Sequence, residues 1–159
     1  MRSAHVITVS DGVAGGTRKD AAGPEVVALL KQAGFQVSGP EVVPDDQEEI
    51  AEALVTAASR HNDLVVTAGG TGLGPRDVTP QAAAAVIDYV VPGIGEAMRR
   101  AGETSTPMAA LSRSMAGVRG TTLIINLPGS PKGATESLHA VVAILGHAID
   151  LLHGATKHR

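Results

Sequence analysis

VVTAGGTGLGPRDVT, Val65 to Thr79, followed directly by Pro80, is the stretch on which the fold turns. The apolar run Leu64-Val65-Val66 reads as a buried strand that empties into Gly69-Gly70-Thr71-Gly72, with Gly74 close behind. Thr79-Pro80 then opens a helix, because proline at the first helical position gives up only an N–H that has no partner there. Four glycines between positions 69 and 74 exceed what a tight turn needs. Without side chains they let backbone N–H groups approach an anion, and the next helix offers its positive end to the same spot. Two readings stand open: a strand-to-helix turn and a phosphate loop. Arg76-Asp77 favour the second, supplying a cation for phosphate and a carboxylate for a metal ion. The loop has neither the Lys-Ser/Thr of a Walker A sequence nor the Rossmann glycine spacing.

Outward from this stretch, strands alternate with helices. His5 to Ser10 is β-branched and ends at Asp11-Gly12, a first strand. A polar loop, Gly12 to Ala22, precedes a helix opened by Gly23-Pro24 and stopped by a left-handed cap at Gly34. Gln36 to Val43 is a second strand, marked by Gly39-Pro40 as a sheet edge or a bulge. Asp46 with Glu49 resembles a capping box, and Ile50, Leu54, Ala57 and Ala58 continue at helical spacing. Beyond the glycine loop, helices are expected from Thr79 to about Ile87, from Pro92 to Gly102, and from Thr106-Pro107 to Gly117. Thr121 to Asn126 is the last strand, and Ser130-Pro131 caps a long final helix. The tail, Gly154 to Arg159, reads as free. The pattern predicts an α/β fold, a mostly parallel sheet flanked by helices on both faces, in one domain spanning residues 1–159.

Composition narrows the function classes. Apolar residues make up 43% of the chain but aromatics only 1%, so the core must be aliphatic. A net charge of -3 provides no basic field for nonspecific nucleic-acid binding. Without cysteine there is no disulfide framework, thiol nucleophile or thiolate metal site. No run reads as membrane-spanning, and MRSAHVITVSDG turns polar too soon for a signal peptide. A soluble, cytoplasmic protein is the expectation.

In open α/β sheets the ligand crevice lies beyond the carboxyl ends of the strands. The loop from Gly69 to Asp77, the loop from Leu127 to Lys132, Ser10-Asp11 and Asp45 are therefore expected along one edge. Asp45 and Asp77 form the acidic pair of interest. Transfer between two anionic phosphates needs a divalent ion, and Mg²⁺ is held by one or two carboxylates plus substrate oxygens. Capping the next helix is the other reading of Asp45, although Asp46 occupies the better capping position. Asp11 either binds substrate or closes its turn, and Asp20 is equally open. LPGSPKG, Leu127 to Gly133, is a second anion candidate through Gly129, the hydroxyl of Ser130 and the charge of Lys132. An ordinary capped loop is its alternative. The six histidines lack metal-ligand spacing, with His139 and His147 expected on the surface. Arg99, Arg100 and Arg113 could reach a phosphate, but solvated helix charges are the default reading.

TAGGTGLGPRDVTPQA and INLPGSPKGA resemble the two signature segments of the MoaB/Mog family of molybdenum cofactor biosynthesis, also found in the G domain of gephyrin. ITVSDGVAGGTRKDAAGP is similar to that family's first loop, and VVPDD to its segment after the second strand. The resemblance covers His5 to Leu152. It implies the molybdopterin-binding fold, usually a trimer, and the activity of a molybdopterin adenylyltransferase that uses ATP and Mg²⁺. Asp45 and Asp77 would then be the catalytic, metal-handling carboxylates. Ser10, Asp11, Gly69, Gly70, Thr71, Gly72, Arg76, Gly129, Ser130 and Lys132 would hold nucleotide and pterin. No second domain for inserting molybdenum is evident, which implies a separate inserting partner.

The chain departs from the family pattern at Gly12, where a polar or basic residue is frequent, and at Ala22, where serine is. Ala68 and Gln81 stand where threonine and glutamate are common. A pterin carrier without transferase activity is the competing expectation, and retention of both Asp45 and Asp77 favours the enzyme. Ile94 and Met98 are the candidates for an aliphatic surface at an oligomer contact.

Overall fold

The computed structural model describes residues 1–155. Its strands are β1 (Ser3–Val9), β2 (Gln36–Val43), β3 (Leu64–Ala68), β4 (Tyr89–Val90), β5 (Ala116–Arg119) and β6 (Thr122–Leu127). They form one sheet in the order β2-β1-β3-β6-β5-β4. β2, β1, β3 and β6 run parallel, and β5 and β4 complete the sheet antiparallel. The helices are α1 (Asp11–Ala14), α2 (Ala22–Gln32), α3 (Gln47–Ser59), α4 (Thr79–Val86), α5 (Pro92–Glu103) and α6 (Pro131–Leu152), with a 3₁₀ turn at Pro107–Leu111.

Side chains alternate across the sheet and build two cores. Val6, Val66, Leu123 and Ile125 pack with α2, α5 and α6, while Ile7, Val65 and Ile124 pack with α3 and α4. Every residue of β3 is buried, as a strand covered on both faces requires, which explains its unbroken apolar run. α2 joins β1 to β2 on one face and α3 returns from β2 to β3 on the other. The connections therefore diverge between β1 and β3, where an open sheet forms its crevice. Gly34, with φ of 93°, ends α2 in the left-handed conformation expected of it.

Several expectations change. The segment after Thr106 is only the short 3₁₀ turn, and Gly117 does not end a helix; it lies in β5. There a Cβ would sit 2.9 Å from the carbonyl oxygen of Tyr89, so glycine lets β4 pair closely. β5 turns into β6 through Gly120-Thr121, with Gly120 at φ of 59°, the positive φ that two-residue hairpin loops demand. The expected free tail divides. Gly154 and Ala155 donate to the carbonyls of Leu151 and Asp150 and close α6 in a Schellman motif, whereas residues 156–159 lie outside the described residues. α6 also overturns the expectation about membrane-length runs. It has 22 residues and a mean hydropathy of 1.3 in its most apolar window, enough to pass a length-and-composition criterion for a span. Its stripe of Ala134, Leu138, Val141, Leu145 and Ile149 is nevertheless buried in the core. Ile94 and Met98 are buried as well, so they offer no surface for an oligomer contact.

Candidate active site

The carboxyl ends of the parallel strands open into one cavity of about 930 Å³. Ser10, Asp45, Gly69 to Gly72, Asp77, Gly129, Ser130 and Lys132 all line it. The rim predicted from strand direction is thus assembled.

Gly69 is the crossing point of three strand ends. Its φ is 116°, a Cβ on it would run into the carbonyl of Val9, and its N–H donates to Leu127 O at 3.0 Å. Gly129 stacks on it from the β6 loop, so close that a Cβ at 129 would lie 3.3 Å from the Cα of Gly69. Gly69 therefore packs two loops together and has no amide left for a ligand. The amides of Gly70, Thr71 and Gly72 differ: among the described residues they find no acceptor. Thr71 is buried, and a buried N–H without a partner is costly unless something else accepts it. Below the loop, the Thr79 hydroxyl donates to Gly69 O at 2.9 Å and the Thr79 N–H to Gly70 O at 3.1 Å.

The remaining glycines make room for the acids. A Cβ at Gly70 would lie 3.2 Å from Asp45 Oδ1 and collide with the Thr79 hydroxyl. One at Gly72 or Gly74 would lie 2.9 Å from Asp77 Oδ2, which accepts the Gly74 N–H at 3.0 Å. Asp45 does not cap α3; Asp46 does, accepting from Glu49 N at 3.0 Å. Instead Asp45 and Asp11 exchange bonds, Asp11 N–H to Asp45 Oδ2 at 2.8 Å and Asp45 N–H to Asp11 Oδ1 at 3.0 Å. Burial pushes the Asp45 carboxyl above its ordinary value against the pull of the Asp11 N–H, and the negative charges of Asp11 and Asp77 add to the rise. Asp77 is thus near enough for its charge to act on Asp45, and a cation between them would relieve that repulsion. No group of three or more His, Asp or Glu ligands forms among the described residues. Asp45 and Asp77 alone could hold a divalent cation only if substrate and water completed its shell.

Asp11 and Arg76 do not line the cavity. Arg76 grips both oxygens of Asp11 at 3.0 Å, and its guanidinium holds that carboxyl below the ordinary carboxylate value. Asp11 ties the ends of β1 and β2 to the glycine loop, and Arg76 is spent on that tie. Asp20 is also spent, accepting the Gly23 N–H at 2.9 Å and the Thr8 hydroxyl at 2.7 Å. Ser130 caps α6 by accepting from Gly133 N at 3.0 Å, while Lys132, the second residue of the helix, lies exposed and has no ion pair among the described residues.

Sequence reasoning missed two parts of the wall. Arg18 and Lys19, in the polar loop after β1, line the cavity; the strand-end rule that selected Ser10 applies equally to them. Met98, Thr106 and Met108 form a more apolar side from α5 and the 3₁₀ turn, which no local motif announces. The cavity thus joins a strip of free amides, carboxylates and lysine to a more apolar wall. His139 and His147 are exposed, as expected.

The profile described as a probable molybdopterin binding domain matches residues 5–147. The chain belongs to that family. It is 37% identical to the molybdopterin adenylyltransferase of Helicobacter pylori strain J99, over 97% of this chain and 90% of that protein. The gephyrin of Dictyostelium discoideum is 40% identical over 96% of this chain, which spans 23% of that longer protein. Among solved structures, the molybdopterin biosynthesis enzyme MoaB from Thermus thermophilus superposes with a TM-score of 0.91. That protein is 49% identical, with 97% of this chain and 98% of the other covered. The Mog protein from Mycobacterium ulcerans gives a TM-score of 0.90 at 42% identity, covering 96% and 99%. Family and architecture are those of molybdenum cofactor biosynthesis proteins of MoaB/Mog type.

Proposed function

We propose that this protein transfers the adenylyl group of ATP to the terminal phosphate of molybdopterin. One observation carries the reading. Asp45 and Asp77 share a cavity with the unpartnered amides of Gly70, Thr71 and Gly72. A module that merely binds an anion gains nothing from added carboxylates, since they repel it. A transferase gains a place for Mg²⁺. The relatives named molybdopterin adenylyltransferase support the same reading.

In the reaction a phosphate oxygen of the pterin attacks the α-phosphorus of ATP, a new P–O bond forms, and the bond to the β-phosphate breaks with release of pyrophosphate. Chemistry of this kind needs positioning and charge neutralisation more than a covalent protein intermediate. Asp45 and Asp77 would hold Mg²⁺, which when bound neutralises charge on the transferring and leaving phosphates. Gly70 to Gly72 direct N–H groups at phosphate oxygens, and Thr71 adds its hydroxyl. Lys132, through its ammonium and its own N–H at the start of α6, binds the second anion. Asp11 and Arg76 keep Asp45 in place without touching substrate.

The assay is incubation with ATP, Mg²⁺ and molybdopterin, followed for pyrophosphate. Asp77→Asn is expected to lower kcat by about 100-fold or more, the scale of losing one preorganised electrostatic group, with pterin binding nearly intact. Saturable pterin binding by the wild type without pyrophosphate release replaces the enzyme with a carrier. The family resemblance further supports a homotrimer, a cytoplasmic location and a separate molybdenum-inserting protein. Light scattering tests the trimer.

A further inference from the structure

Arg113 follows the 3₁₀ turn, in the coil that leads into β5. It lies outside the cavity lining, yet three of its bonds are made to the cavity's loop and a fourth to Gln81 on α4. Its N–H donates to Thr71 O at 2.8 Å. The guanidinium donates to Gly72 O at 2.9 Å and Asp77 O at 2.6 Å, and to Gln81 Oε1 at 3.1 Å. One residue thus takes up three carbonyl oxygens along the segment from Thr71 to Asp77. Its base is itself fixed, because Arg99 on α5 donates to Ser114 O at 2.6 Å and Ser112 O at 3.3 Å.

The consequence follows from the planarity of the peptide. In a trans peptide the C=O and the next N–H point in opposite directions. Fixing the oxygens of Thr71, Gly72 and Asp77 toward Arg113 turns the N–H groups of Gly72, Leu73 and Val78 away from it. Glycine resists such peptide rotation least of all residues, and the other holds on the loop act toward its ends, Thr79 on the carbonyls of Gly69 and Gly70 and Arg76 on Asp11. Leu73 to Arg76 are exposed, and the inner turn is closed only by its own residues, Asp77 N to Gly74 O and Gly74 N to Asp77 Oδ2. A carbonyl that swung round would present a partial negative charge to phosphate and shift Asp77 with it.

We propose that Arg113 is a positioning residue for transfer at this site, acting through the 71–77 loop and not on the substrate. The proposal rests on the functional reading above. Lysine cannot replace it, because a single ammonium does not reproduce the planar fork that reaches Gly72, Asp77 and Gln81 together.

Arg113→Lys keeps the charge and much of the length. Amide hydrogen exchange is compared with wild type alongside kcat and KM for both substrates. Faster exchange confined to the bonded loop amides of Gly74 and Asp77, with kcat down about 100-fold as for a misplacement near 1 Å and KM for molybdopterin nearly unchanged, supports the proposal. Unchanged loop exchange overturns it. So does faster loop exchange with wild-type kcat, and so does protection lost equally from α2 and α6 with kcat per folded molecule intact. If the wild type releases no pyrophosphate, the functional reading has failed, and loop exchange in the variant still decides whether Arg113 holds the loop.

Discussion

Gly69→Ala and Gly34→Ala separate two reasons for glycine in this fold. Both positions have positive φ, 116° and 93°, so alanine costs about 1–2 kcal/mol of backbone strain at either. The surroundings differ. Nothing lies within 4 Å of a Cβ at Gly34, whereas at Gly69 it would meet the carbonyl of Val9, with the carbonyl carbon 3.1 Å away. That obstacle is the main chain of β1, paired on both sides by β2 and β3, and it cannot yield as a flexible side chain would. Overpacking of this kind adds about 2–3 kcal/mol. For a domain of this size each kcal/mol shifts Tm by about 2–4 °C. Gly34→Ala should therefore lower Tm by about 5 °C and Gly69→Ala by about 12 °C in scanning calorimetry. Losses that agree to within about 2 °C, no more than the shift from a single kcal/mol, would refute the idea that Gly69 is fixed by the crossing of strand ends. Well below its Tm, Gly69→Ala should also release pyrophosphate more slowly, since the added methyl pushes the glycine loop out of register with Gly129.

Further outcomes test the electrostatics. Lys132→Ala should raise KM about tenfold with kcat little changed, as loss of an interaction common to ground and transition states does; a fall in kcat at constant KM reassigns the lysine to the chemical step. The acid limb of kcat/KM should lie above the ordinary carboxylate value of 3.8, because in the proposed role Asp45 has to ionise to hold a cation and its pKa is raised. Asp11→Asn removes one of the charges that raise it while the backbone N–H still donates to Asp45, so the limb should move to lower pH, and an upward move contradicts the assignment. Stability runs in the opposite sense: a raised native pKa makes ionisation of Asp45 cost stability as pH climbs through the window between its unfolded and native values. Asp45→Asn should therefore gain Tm over wild type at pH 7 that it does not gain below the unfolded pKa.

The parallel half of the fold was legible because its signals are local. β1, β3 and β6 are β-branched or aliphatic runs ended by glycine, and Pro24, Pro80 and Pro131 mark helix starts. β4 and β5 were not legible. A two-residue strand carries no periodicity, and Gly117 resembles a helix stop unless one already knows that Tyr89 lies across from it. The turn at Gly120-Thr121 was the available clue, since glycine between Val118-Arg119 and Thr122-Leu123 is a hairpin pattern. The site divides along the same line. Strand direction alone brings Asp45, Asp77, Gly129 and Lys132 to one rim, because every parallel strand delivers its carboxyl end to the same edge. Which polar residues face the ligand and which hold the rim together depends on pairings made across long stretches of chain. Asp11 has the chemistry of a substrate contact, but Arg76, 65 residues away, occupies both its oxygens. Arg113 has the chemistry of a solvated charge, but its guanidinium is engaged by the carbonyl of Gly72, 41 residues away. In both cases the residue type announces a capacity, to accept or to donate along a plane, and only the fold supplies the partner. An arginine near a glycine loop is therefore as well suited to holding the loop's carbonyls as to holding phosphate, and the two roles separate by whether its donors face the cavity or the main chain behind it.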